Sequence, residues 1–135
     1  ETGKVNMIGY TGNIEELTLA NNNFRQVLYT GKHMQLVVMT LQAGEEIGVE
    51  IHKTVDQFFR VEEGVAKFVV NGEETQVGED EVFIVPAGSE HNVINVGEAP
   101  LRLYTIYTPP NHPDGTIHAN KAEADAYEAE HHHDE

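Results

Sequence analysis

Between Phe24 and Leu103 the chain is a succession of short β-prone runs, each cut off by glycine, proline or asparagine, with no helical period to compete. The runs are Gln26-Val-Leu-Tyr-Thr30, Gln35-Leu-Val-Val-Met-Thr-Leu41, a start at Glu50, Gln57-Phe-Phe-Arg-Val61, Val65 to Val70, Glu74 to Val77, Val82 to Val85, His91 to Asn95 and Leu101 to Tyr107. Breaks at roughly 8–12 residue intervals make about eight to ten short strands, the pattern of an antiparallel sandwich or barrel. Asn71-Gly72 between two such runs is a strong hairpin signal, because both residues tolerate the positive φ angles of a tight turn.

The ends read differently. Residues 1–23 form an N-terminal arm in which Asn13-Ile-Glu-Glu-Leu17 can make a helical turn, Asn13 capping and Glu16 at the third position. Asn21-Asn-Asn23 reads as a turn. The barrel domain spans 24–110 and closes at Pro109-Pro110, and 111–135 is a C-terminal loop and helix. Asn120 with Glu123 is a capping-box pattern opening a helix through Ala122, Ala124, Ala126 and Ala129. The closing His131-His-His133 reads as a solvated, tag-like tail with adventitious metal affinity.

Composition excludes several functions. The formal charge is −15, from 23 acids against 8 bases. Such a surface repels nucleic acid and anionic membrane, so neither is expected as a partner. Apolar runs such as Leu36-Val-Val-Met39 fall far short of the roughly 20 residues that span a bilayer. The opening residues carry no signal-peptide pattern and the chain has no cysteine, so a reducing, cytoplasmic setting is the expectation. Without cysteine there is neither a disulfide scaffold nor a thiolate metal site. No phosphate-cradling loop and no Gly-x-Ser-x-Gly elbow occurs.

The polar residues that stand out are Glu50, His52, Gln57 and His91. Two residues apart on a strand, Glu50 and His52 leave the same face, together with Gly48. Gln57 follows past a bend, with Phe59 and Val61 continuing the inward set. Phe68, Val70, Phe83 and Val85 supply an apolar wall. Each histidine alone reads as an ordinary half-buried or surface side chain. Jointly, with Pro86-Ala-Gly88 setting the turn before His91, they read as ligands of one divalent ion, Mn, Fe, Co, Ni or Zn. Glu50 is a third ligand or one more surface acid. Gln57 is a fourth, or a hydrogen-bond partner of Glu50 or of a substrate. Tyr104 and Tyr107 face opposite sides of the last strand, so at most one reaches the pocket. His112 and His118 lie in the loop beyond. They can close the mouth, with His112 the candidate general base, or belong to an ordinary polar loop. Arg60 is out of phase with Gln57, and Lys53 with His52, so the inward faces are expected to carry no Arg or Lys.

The segments Gly44 to Gly64 and Gly78 to Asn95 resemble the two sequence motifs of the cupin superfamily. Gly44, His52 and Gly64 fall on the first motif, with Glu50 where its first histidine usually stands and Gln57 where its glutamate usually stands. Pro86, Gly88, His91 and Asn95 match the second, whose opening glycine is here Asp80, with Gly78 two residues early. Phe24-Arg-x-Val-Leu-Tyr-Thr-Gly31, Asp56-Gln-Phe-Phe59 and His112-Pro-Asp-Gly-Thr-Ile-His118 are similar to small single-domain cupins often grouped with mannose-6-phosphate isomerase.

The resemblance implies an all-β fold, the cupin double-stranded β-helix or jelly-roll barrel, with a short C-terminal helix appended. It also implies a homodimer whose N-terminal strand covers a sheet edge, and sugar-isomerase-like chemistry on a small oxygenated molecule. Two alternatives stand beside that. Glu50, His52 and His91 make a two-His, one-carboxylate set that also suits an Fe(II) dioxygenase. A non-catalytic metal or small-ligand binding module is the third reading.

Overall fold

The computed structural model describes residues 4–6 and 9–130, and the His131–His133 tract lies outside them. Among the described residues there are twelve strands and two helices. Two strands at the start, β1 (Lys4–Asn6) and β2 (Gly9–Thr11), pair only with each other. The barrel itself is two antiparallel sheets. One holds β3 (Arg25–Thr30), β4 (Gln35–Leu41), β6 (Asp56–Glu63), β9 (Val82–Val85), β11 (Leu101–Thr108) and β12 (Ile117–His118), in the order β12-β3-β4-β11-β6-β9. The other holds β5 (Glu50–Ile51), β7 (Ala66–Val70), β8 (Glu73–Val77) and β10 (Glu90–Asn95), in the order β5-β10-β7-β8. No helix among the described residues is long and apolar enough to cross a membrane.

Alternation explains which side chains enter the core. On β11, Leu101, Leu103, Thr105 and Tyr107 are buried while the residues between them are only partly covered. Their inward partners are Leu41, Met39, Val37 and Gln35 on β4, and Val61, Phe59 and Gln57 on β6. From the facing sheet Phe68 stacks on Phe83 and meets Phe59 edge-on, each at 4.9 Å between ring centroids. Of the inward set and apolar wall expected from the sequence, Gln57, Phe59, Val61, Phe68 and Val85 are buried, while Val70 and Phe83 are partly buried against the core.

Strand β4 departs from alternation, with Val38 and Thr40 buried as well as their neighbours. Helix α1 (Ile14–Ala20) covers the outer face, packing on β4, β6 and β11. The cap is as expected, Asn13 accepting from the Glu16 amide at 3.0 Å, but the helix runs to Ala20 rather than stopping after one turn. Its buried Leu17 stabilises the extension. Helix α2 (Lys121–Glu130) opens with the Glu123 amide donating to Asn120 Oδ1. The Glu123 carboxylate reaches back to the amide of Ala119 rather than Asn120.

Turn chemistry holds the register. Asn71 and Gly72 take φ of 51° and 86° between β7 and β8, as a tight primed hairpin turn requires. Asp80, where the second motif usually opens with glycine, keeps the left-handed backbone at φ 69°. Aspartate tolerates that region better than most side chains, and Asp80 also accepts a hydrogen bond from Arg60. The C-terminal segment is not merely appended, since β12 pairs with β3 and extends the six-stranded sheet.

Candidate metal centre

The two sheets bring Glu50, His52 and His91 together at one end of the barrel. Strand β5 pairs with β10 so that Glu50 lies opposite His91, and His52 follows two residues on. One ligand atom from each of the three lies within 4.8 Å of the others. His52 Nε2 is 3.2 Å from Glu50 Oε1, and the His52 and His91 ring centroids are 5.3 Å apart. Both histidines are buried and Glu50 is half-buried.

The nitrogens are prepared for an ion. His91 Nδ1 lies 3.1 Å from the Ser89 carbonyl, which can only accept, so Nδ1 carries the proton. The buried Nε2 is then a bare lone pair with no hydrogen-bond partner among the described residues. Burial pushes the His91 imidazolium down, more than the Ser89 carbonyl and Glu50 raise it, so the ring stays neutral. Burial alone would push the Glu50 carboxyl up. The hydrogen bond from His52 and the charges of His52, Arg25 and His91 outweigh it and hold the carboxyl below its usual range. A carboxylate beside two buried imidazoles fits a borderline divalent cation, so the donor set matches the ion that the motifs imply.

Gln57 lies inside the same end, on β6 opposite Tyr107 of β11. Its amide nitrogen donates to Thr105 Oγ1 at 3.0 Å, and Oε1 has no hydrogen-bond partner among the described residues. That orientation leaves the oxygen as the available donor atom.

Of the two tyrosines, Tyr107 faces inward and Tyr104 packs against Phe58 outside. Burial pushes the Tyr107 phenol up to about 12, so it keeps its proton. Its ring meets His52 edge-on at 6.0 Å and His112 at 5.1 Å, and its hydroxyl is 3.2 Å from His112 Nε2. His112 is buried, not part of an exposed loop. Fully buried Gln35 clamps the segment, donating to the His112 carbonyl at 2.7 Å and accepting from the Asn111 and His112 amides.

One expectation is overturned. The inward faces do carry a cation, Arg25, 3% exposed. Strand β3 begins at Arg25 rather than at Gln26, and Arg25 shares the inward phase of Val27. Extending the alternation back from Val27 would have found it. Arg25 Nη1 donates to His118 Nδ1 at 3.1 Å, and its charge acts on both Glu50 and Tyr107. His118 is also buried and packs against Tyr127 of α2. Burial and the Arg25 charge both push its imidazolium down, so it stays neutral and accepts. Lys53 and Arg60 lie outside the core as expected, Lys53 exposed and Arg60 partly so.

A separate cleft of about 330 Å³ lies between β7, β8 and β9, lined by Val70, Phe83, Pro86 and Ser89 among others. None of the three acidic and imidazole donors lines it.

Comparison with known proteins agrees with this fold. The cupin domain model Cupin_2 matches residues 37–107. The chain is 50% identical over 122 residues to the uncharacterized protein YrkC of Bacillus subtilis (strain 168), covering 86% of this chain and 66%, just under two thirds, of that one. It is 32% identical over 76 residues to the mannose-1-phosphate guanylyltransferase ManC of Salmonella typhimurium, 56% of this chain but 16% of the larger protein. Among solved structures, BH2720 of Bacillus halodurans superposes with a TM-score of 0.85 at 46% identity, covering 86% of this chain and 92% of that one.

Proposed function

The chain belongs to the Cupin_2 family of the cupin superfamily, and on that premise we propose that it is a metal-dependent enzyme acting on a small oxygenated molecule by isomerase-like chemistry. The observation that carries the reading is the meeting of Glu50, His52 and His91 donors within 4.8 Å. Those three would hold the ion, with Gln57 Oε1 beside them. A divalent ion there supplies a Lewis acid that polarises a carbonyl oxygen.

The remaining residues handle protons and position. His91 is oriented by the Ser89 carbonyl, so its ligating nitrogen needs no rearrangement. Tyr107 keeps its O–H at neutral pH and can donate toward a developing oxyanion. His112, joined to Tyr107 through Nε2, is the base that takes a proton from the carbon next to the carbonyl and returns it to the neighbouring carbon. Gln35 holds that imidazole in place through the backbone.

Solvent-deuterium incorporation under anaerobic conditions tests this, with the Mn, Co, Ni and Zn forms offered free sugars, acidic sugars, sugar phosphates and keto acids. Exchange next to the carbonyl is expected, slowed in His112→Ala with metal stoichiometry intact. The two-His, one-carboxylate donor set also supports an Fe(II) dioxygenase, and oxygen uptake coupled to substrate loss in the Fe(II) form alone would establish that reading instead. A ligand that raises the melting temperature without either reaction would leave a binding module. A homodimer is also proposed, supported by the edge strand β9 with Val82 and Ile84 exposed. A concentration-independent monomer mass in light scattering overturns it.

A further inference from the structure

Arg25 is a buried charge that forms no ion pair with any described carboxylate. It is 3% exposed, and its Nε has no hydrogen-bond partner among the described residues. None of the described carboxylates forms an ion pair with it: Arg60 pairs with Asp80 and Glu62, and Arg102 with Glu63. Its neighbours are neutral. His118 accepts from Nη1, and Tyr107 brings a phenol rather than a carboxylate. Glu50 feels the charge from a distance but is engaged with His52.

Taking a guanidinium out of water without a counter-ion is costly. A chain with 23 acids has ample means to neutralise it, yet among the described residues the acid that feels its charge, Glu50, is engaged with His52. The arginine also sits where a small molecule at the metal centre would meet it. It lies close enough to Tyr107, whose ring contacts His52, to act on the phenol, and its charge also reaches Glu50.

We infer that Arg25 forms an anion subsite beside the metal centre and that the molecule bound there carries a carboxylate. The inference deepens the proposed function and rests on this barrel end being the substrate site. The planar guanidinium fork recognises a pair of anionic oxygens, which a carboxylate or a phosphate can offer. Among the described residues the other cations near it or on the barrel are engaged or exposed: Lys121, which lies over the same Phe24 ring as Arg25, pairs with Asp125, Arg60 and Arg102 pair with Asp80 and Glu63, and Lys53 is exposed. A lone guanidinium among neutral groups matches the single charge of a carboxylate better than a phosphate dianion. His118 and Tyr107 act as positioning residues, one holding Nη1 and the other facing the fork.

The test uses the full chain after chelator treatment, so that carboxylate bound to metal does not confuse the result. The sequence has three arginines, 25, 60 and 102, which makes their Nε–H nuclear magnetic resonance signals easy to follow. Glycolate, its neutral amide glycolamide, and inorganic phosphate are titrated in parallel.

Glycolate is expected to move the Arg25 signal and raise the melting temperature, leaving Arg60 and Arg102 as internal controls. Glycolamide should do neither, and Arg25→Gln should weaken glycolate binding at least tenfold. The His52→Ala, His91→Ala double variant should keep the response. Equal effects of glycolate and glycolamide, or an unmoved Arg25 signal, overturn the inference. Phosphate binding at tenfold lower concentration than glycolate replaces carboxylate with phosphate. If Arg25→Gln does not fold, the wild-type comparison of acid with amide decides alone. An Arg25 response without deuterium exchange discards the isomerase reading and keeps the subsite, and the converse discards only the subsite.

Discussion

The two ends of the barrel are built by the same strands and differ almost completely in chemistry. Strand β11 enters the core with Leu101 and Leu103 and leaves it with Thr105 and Tyr107. Its neighbours change in step, from Leu41, Met39 and Val61 to Gln35 and Gln57. Across the barrel, β10 passes from Val93, opposite Phe68, to His91, opposite Val70 and Glu50. The apolar layers exclude water and hold the sheets together. At the other end, burial is tolerated because hydrogen bonds meet most of the polar atoms, among them Gln57 to Thr105 and Gln35 to the His112 segment. The atoms left over, His91 Nε2, Gln57 Oε1 and Arg25 Nε, mark where an ion and an anion are expected. Folding and function are thus separated along a strand rather than between domains.

The sharpest way to break that contrast is to cut the apolar layers. Phe68 is fully buried between Phe59 and Phe83, so Phe68→Ala is expected to lower unfolding free energy by about 3–5 kcal/mol. Chemical denaturation measures it, and a loss below about 1 kcal/mol would show that the stack does not hold the sheets.

At the polar end the balance should reverse. His91→Ala is expected to weaken metal binding by more than the roughly 10–100-fold that a supporting residue costs, with metal-free stability changed by only about 1 kcal/mol. Gln57→Glu should retain or tighten binding by adding charge. Calorimetric titration on protein lacking the histidine tail checks both, and unchanged affinity in the His52→Ala, His91→Ala double variant would remove the centre from this end.

Acid should attack the same end. The imidazoles of His91 and His118 lie below 6.5 in the folded protein, so the unfolded chain binds their protons first. Their stabilising contribution is therefore present above about pH 6.5 and is lost as pH falls through the lowered values. The depressed Glu50 carboxyl acts in the same direction further down, below 4.5. Metal-free protein should melt at progressively lower temperature from pH 7 to 5, and metal occupancy should fall with it. A melting temperature flat over that interval would contradict the neutral burial of these rings.

The smallest effect tests a turn outside both ends. Asp80 holds φ 69°, so Asp80→Gly should be nearly neutral, while Asp80→Val should cost about 1–2 kcal/mol through the left-handed backbone. Equal stabilities of the two variants would mean that the turn relaxes.

Local pattern was enough to read much of this protein. Alternation placed Gln57, Phe59 and Val61 inward, Asn71-Gly72 announced its hairpin, and Asn13 and Asn120 announced their helices, because each depends on residues a few positions apart. The pairing of Glu50 with His52 was legible for the same reason, and motif spacing added His91. Arg25 escaped because the strand was started one residue late, although its phase was already present in Val27. Other features had no local signal at all. Thr40 is buried because α1 crosses the outside of its sheet, and His112 is buried because Gln35, 77 residues away, grips its backbone. Side-chain direction follows from backbone period and was written in the sequence. Which distant side chains share one dry space is settled by strand order and register, and only the folded barrel decided that Tyr107 would meet both His52 and His112 and that the Arg25 charge would reach Glu50.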